Sequence, residues 1–235
     1  MAGKQLILSE RRNVEEKSMN ASSFQNSVEA LPTEFAPSGI PEIDSIAGGL
    51  PRGAITELIG PVSSGRTSLL LSVLAEATHR QELCALVDLN NALDAEAATR
   101  TRINFDFLLW IRCCTNLDHG LKATELLLQS ASFGLVALDL GDLKKHPRRI
   151  PLSCWFRFRR AVENTSTSLL VIEEEPSAKT CASLILETNR KGVKWPDTQS
   201  PPTGGSAIFG GLRLRIMRFK PISSKERETD LETIF

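Results

Sequence analysis

Ala54-Ile-Thr-Glu-Leu-Ile-Gly-Pro-Val-Ser-Ser-Gly-Arg-Thr-Ser-Leu-Leu-Leu71 reads as strand, glycine loop and helix. Ala54 to Ile59 is short, apolar-rich and partly alternating, as a strand is. Gly60 and Gly65 bracket Pro61-Val62-Ser63-Ser64; Arg66, Thr67 and Ser68 follow, and an apolar helical run begins. This is the phosphate-cradling pattern G-x-x-x-x-G-K-[ST], with Arg66 in place of the lysine. Loop and helix-start N–H groups point inward in such a turn, and the helix dipole favours negative charge there. The candidate phosphate-binding residues are therefore Gly60, Pro61, Ser63, Ser64, Gly65, Arg66, Thr67 and Ser68, with the Thr67 hydroxyl as a magnesium ligand. Arginine keeps the charge of lysine but is larger, planar and forked, so the exchange is not conservative. The plainer alternative is a turn whose Gly and Ser residues only reverse the chain.

Outward from this stretch, the chain has 235 residues, 41% hydrophobic and 24% charged, enough for one substantial core. Lys plus Arg equals Asp plus Glu, 28 against 28, so net charge predicts no polyanionic partner and only a local patch could bind one. Cys84, Cys113, Cys114, Cys154 and Cys181 form no C-x-x-C pair, and the histidines are few and scattered, which speaks against zinc. With no secretory signal and no apolar run of spanning length, a cytoplasmic location is expected.

Residues 1–34 are polar and irregular and read as an extension, either a disordered arm or a packing helix. Pro41 suits the first turn of a short helix that Gly48 and Gly49 end. Leu83 to Leu89 is a continuous apolar run, as in a covered parallel strand. A helix over 92–101, a strand over 107–112 and a helix capped by Asp118 and running to about Ser130 follow. Phe133 to Leu140 is a second buried strand carrying Asp139. Ser153 is placed to cap a helix with Trp155, Phe158 and Val162 on one side. Ser168 to Ile172 is a further strand; Cys181–Thr188, Val193–Trp195 and Leu212–Phe219 read as antiparallel strands, and 223–235 as a polar tail. Strands alternating with helices of these lengths give an α/β fold: a core over 35–222 with a central, mostly parallel sheet flanked by helices, and antiparallel strands near the C-terminus.

The loop segment resembles the Walker A segment of RecA-type recombinases, a P-loop family. Ser38-Gly-Ile-Pro-Glu-Ile-Asp44, Gly48-Gly-Leu-Pro-Arg-Gly53, Cys84-Ala-Leu-Val-Asp88 with Asn91-Ala-Leu-Asp94, and Gly204-Gly-Ser-Ala207 are similar in order and spacing. The resemblance covers roughly residues 35–220 and implies a RecA-like domain, with ATP and magnesium as ligands. A weaker similarity, over Leu152 to Ala161 and Cys181-Ala-Ser-Leu184, points to the short ImuA and SulA-like branch, which accompanies error-prone polymerases in the damage response. It implies as partners such a polymerase, a RecA-type recombinase, single-stranded DNA or further copies of this chain.

The departures carry as much information. The family's glutamate base matches Asn90, its γ-phosphate-sensing glutamine matches Glu175, and its adenine-stacking aromatic falls near Ala97 in a chain with no tyrosine. Catalysis at Asn90 and Glu175 is therefore expected to be defective, leaving at most a slow DNA-dependent ATPase. Asp139 matches the Walker B aspartate that holds magnesium; its alternative is a strand-end cap. Asp88 ends a strand beside the loop, with the same two readings open. Lys144, Lys145, Arg148, Arg149 and Arg157 form a basic segment that reads as a phosphate-backbone contact or a site for an acidic protein. Trp155 or Phe156 would stack bases if exposed; the better reading is an amphipathic helix whose Trp155 and Phe158 are core. Glu173-Glu-Glu175 reads as a solvated turn that repels phosphate.

Overall fold

The computed structural model describes residues 34–141, 150–194, 211–220 and 227–233. All of them belong to the compact unit that runs from Pro32 to Phe235. Phe35–Ala36 (β1) and Leu50–Pro51 (β2) pair antiparallel around a short helix, Pro41–Ala47 (α1). The main sheet comprises Ala54–Ile59 (β3), Cys84–Asp88 (β4), Leu108–Arg112 (β5), Leu135–Gly141 (β6), Ser168–Glu173 (β7), Ala182–Lys194 (β8), Gly211–Lys220 (β9) and Arg227–Thr233 (β10). Its spatial order is β10-β9-β8-β3-β7-β6-β4-β5. The strands from β8 to β5 pair parallel, while β9 and β10 add antiparallel. The fold is thus α/β, as the alternation of elements predicts.

Helices cover both faces. Arg66–His79 (α2) buries Leu69, Leu70, Leu71, Val73, Leu74, Ala75 and Ala77 against one face, together with α1 and Ala98 of Ala95–Arg100 (α3). Leu117–Ser130 (α4) and Leu152–Val162 (α5) cover the other, where Leu127, Leu128, Trp155, Phe158 and Val162 meet Ile55, Val136, Leu169 and Val171. Trp155 and Phe158 pack edge to face at 5.7 Å in the core, as expected of them.

Several local expectations change. The α4 cap is Asn116, whose side chain accepts from His119 N at 3.1 Å; Asp118 lies inside the first turn, where it favours the dipole instead. Pro151, at φ −62°, precedes α5, so Ser153 is inside the helix and is not its cap. The pieces read as two antiparallel strands around 181–195 are one strand, β8, which is parallel to β3 and antiparallel to β9. Most of the polar tail is β10, the sheet's edge. Lys191 pairs with Asp230 across the sheet at 2.7 Å, which fits a polar edge strand.

The amino end of the sheet is closed by one arginine. Arg52 donates to Gly134 O at 2.8 Å, Ser166 O at 3.0 Å and Glu82 Oε1 at 2.6 Å, and Arg80 also pairs with Glu82 at 3.0 Å. Burial raises the Glu82 carboxyl, but hydrogen bonds from Arg52 and Arg80 hold it below its ordinary value.

Candidate nucleotide site

The parallel register brings the candidate groups to one end of the sheet. Gly60 follows β3, Asp88 ends β4 and Asn90 follows it, Asp139 and Gly141 lie at the end of β6, and Glu173 ends β7. This carboxyl end is where open α/β sheets bind ligands.

The loop is built as the motif requires. Gly60 has φ 150°, and a Cβ there would fall on Thr188 O and on the side-chain oxygens of Thr188 and Ser64. Ser63 and Gly65 also have positive φ, 62° and 92°. Thr188 donates to Ile59 O at 3.2 Å, and Ser64 Oγ lies 2.7 Å from Thr188 Oγ1, so the Ser64 hydroxyl is the donor to Thr188. That chain ties the loop to β8. Pro61, Val62 and Ser63 stay exposed at its tip. Helix α2 begins at Arg66 with no side-chain cap and no acidic residue in its first turn. Its N-terminus is therefore not satisfied by a carboxylate of its own, the arrangement an anion site needs.

Arg66 is buried, and its Nη1 lies 3.5 Å from Gly141 O, so the guanidinium reaches across to the end of β6. Asp139 is also buried and accepts Gly141 N–H at 3.0 Å. Burial pushes its carboxyl up to about 6; Asp88 adds to this, while the Gly141 N–H and Arg66 oppose it. Asp88 is fully buried and accepts from Ala92 N, Leu93 N and Trp110 Nε1 at 2.9, 3.1 and 3.2 Å. It braces the loop after β4.

Asn90 sits at the mouth of the site, but its amide is engaged: Nδ2 donates to Leu140 O at 3.0 Å and lies against Gly141, where a Cβ would collide with it. Thr67 is exposed and Ser68 half-buried in the first turn of α2. Glu175 is exposed beyond β7, whereas Glu173, read as part of a solvated turn, is fully buried. Arg157 is on α5 with its side chain exposed, 3.4 Å from Glu125 of α4. Lys144, Lys145, Arg148, Arg149 and Gly204 to Ala207 lie outside the described residues. Side chains missed in the sequence are Thr188 and the buried carboxyl of Glu57, while Glu173 is marked there but misplaced in solvent. No local pattern marks Thr188, whereas the acid run itself flagged Glu173.

Among the described residues no group of three or more His, Cys, Asp or Glu side chains could cage a metal ion. Magnesium bound with a nucleotide needs only one or two protein oxygens, the rest coming from water and phosphate. The Thr67 hydroxyl and the Asp139 carboxylate are donors of that kind, so the residues present fit such an ion.

Comparison with known proteins agrees with this geometry. The sequence signature of the RecA N-terminal domain matches residues 14–142, which takes in the loop, Asn90 and Asp139 and begins inside the stretch read as an extension. Protein RecA of Desulfovibrio desulfuricans is 29% identical over 199 residues, covering 76% of this chain and 51% of that protein. Protein RecA of Ectopseudomonas oleovorans is 44% identical over 95 residues, 39% of this chain and 26% of that protein, and the Pseudomonas putida protein is 42% identical over 92. The chain therefore spans about half or less of the length of these relatives. The matched span covers more than half of the chain and takes in the loop: the chain belongs to the RecA family.

Proposed function

We propose that the protein is a RecA-like, ATP-binding accessory factor in DNA repair or damage tolerance, acting in the cytoplasm with a weakened nucleotide site. The observation that carries this reading is the coexistence of an intact phosphate loop with an engaged Asn90. Loop amides and Arg66 would hold the phosphates, with Thr67 and Asp139 holding magnesium. That ion would neutralise phosphate charge. Asn90 cannot accept a proton from water, and general-base catalysis typically contributes about 10²- to 10⁴-fold, so hydrolysis should be very slow. The missing adenine stack near Ala97 costs about 1 kcal/mol of binding. The basic segment, with Lys144, Lys145, Arg148 and Arg149, is proposed to contact single-stranded DNA through phosphates. An error-prone polymerase or a RecA-type recombinase, as for the ImuA-like branch, is the proposed protein partner, and self-association is also proposed.

The test is calorimetry with ATP and a non-hydrolysable analogue, with and without magnesium. Weak binding that Thr67→Ala makes less magnesium-dependent is expected; no binding at millimolar nucleotide removes the reading and leaves a scaffold that uses the fold to hold a polymerase or recombinase. Paired ATPase assays of wild type and Asn90→Glu, with and without single-stranded DNA, then separate a base-deficient pocket from an active recombinase.

A further inference from the structure

Glu57 and Glu173 are both fully buried, on adjacent strands and the same face of the sheet, with Glu57 opposite Val171 and Glu173 opposite Ile59. Glu57 Oε1 accepts from Ser177 N at 2.8 Å and Ala178 N at 2.6 Å. Glu173 accepts from Ser177 Oγ at 2.6 Å and Ser177 N at 3.3 Å. Glu57 Oε2 receives no N–H or hydroxyl donor among the described residues. Two carboxylates cannot both stay ionised at this separation from water. Both carboxylates converge on the Ser177 N–H, so their oxygens lie close together in the core, and the pair keeps one carboxyl proton, on Glu173.

We propose that Glu57 and Glu173 form a proton-dependent clasp: one carboxyl proton holds segment 173–178, and with it Glu175, against the strand that feeds the phosphate loop, and losing that proton releases the segment. Glu57 lies three residues before Gly60 and Glu173 two before Glu175, so the clasp joins the roots of two parts of the site. It goes beyond the nucleotide reading and does not depend on it.

Among the described residues the surroundings contain little to compensate a second charge. From β8, half-buried Glu187 stands opposite Ile59 and accepts from Asn189 at 2.9 Å, adding negative charge to the same face. The following segment brings Glu174, Glu175 and Lys179, half-buried or exposed, and buried Cys181. Helix α5 turns Cys154, Trp155, Phe158 and Val162 to the core, with Arg157 engaged by Glu125. Burial first, and then the Glu57 carboxyl, raise Glu173 from 4.5 to about 9. An acid raised on folding gives stability that is complete below its unfolded value and is lost as pH rises through the folded one.

Full-length protein is followed by hydrogen exchange of a peptide covering 174–182, corrected for the intrinsic base-catalysed rise. Wild type should lose protection at Ser177 and Ala178 progressively, by up to about tenfold per pH unit between about pH 5 and 9, and level off above about pH 9. Glu173→Gln, which supplies a fixed N–H donor, should hold protection throughout. The wild-type unfolding constant should also rise relative to Glu173→Gln by up to about tenfold per pH unit between about pH 5 and 9. Protection that stays flat in wild type, or falls in parallel in both proteins, overturns the clasp. If Glu173→Gln does not fold, the wild-type exchange profile decides alone, a flat one overturning it.

Discussion

The two ends of the parallel sheet handle charge in opposite ways. At the amino end Arg52 and Arg80 neutralise Glu82 and close backbone carbonyls of two loops. At the carboxyl end Asp88, Asp139, Glu57 and Glu173 are all buried, with Arg66 as the buried cation among them. The first arrangement neutralises its carboxylate through Glu82 Oε1, although Glu82 Oε2 takes no partner among the described residues; the second leaves a helix N-terminus and a carboxyl of raised pKa. Stability and ligand chemistry are thus separated along the strands, because parallel β-α connections deliver all loops of one kind to one end.

Removing the amino-end closure should have the largest effect. Arg52→Ala leaves Glu82 with Arg80, takes the arginine donor from Ser166 O and leaves Gly134 O with the Ser168 N–H, and should lower stability by about 2 kcal/mol in urea unfolding while leaving nucleotide affinity unchanged. The carboxyl end should answer to pH instead. Asp139 is raised from 3.8 to about 6, so the folded state holds its proton more tightly than the unfolded chain. Its contribution is complete below about pH 4 and is lost by about pH 6, so Asp139→Asn should gain roughly 2 kcal/mol over wild type across that window. The same titration predicts that any magnesium-assisted nucleotide binding grows as pH rises through about 6.

A smaller effect sharpens the contrast. Arg66→Ala should weaken nucleotide binding about tenfold, worth about 1.4 kcal/mol, and Arg66→Lys should preserve or improve it. Arg157→Ala, which removes a pair between an exposed arginine head and Glu125, should change stability by less than about 1 kcal/mol in thermal melts. A larger loss would place Arg157 in the fold's support and not at a binding surface.

What local order writes into the chain was legible. The phosphate loop follows from glycines at fixed spacing between an apolar strand and an apolar helix, and Leu83–Leu89 and Phe133–Leu140 announce covered strands by continuous burial. Alternation fixes the fold class. The α4 cap was displaced by two residues because Asn116 and Asp118 are both good caps, and only backbone geometry chooses. β10 was missed since an edge strand is polar by necessity and reads as tail.

Local order carries the α/β alternation, the glycine loop and Arg66 at the lysine position of the motif, while the match of Asn90 to a catalytic base is an expectation of the family resemblance. Tertiary structure alone decided that Arg66 reaches Gly141, that Asn90 spends its amide on Leu140, that Thr188 anchors Ser64, and that Glu57 meets Glu173. Those contacts join residues up to 124 positions apart, as for Ser64 and Thr188. Strand register sets them, and no local periodicity encodes which strands become neighbours.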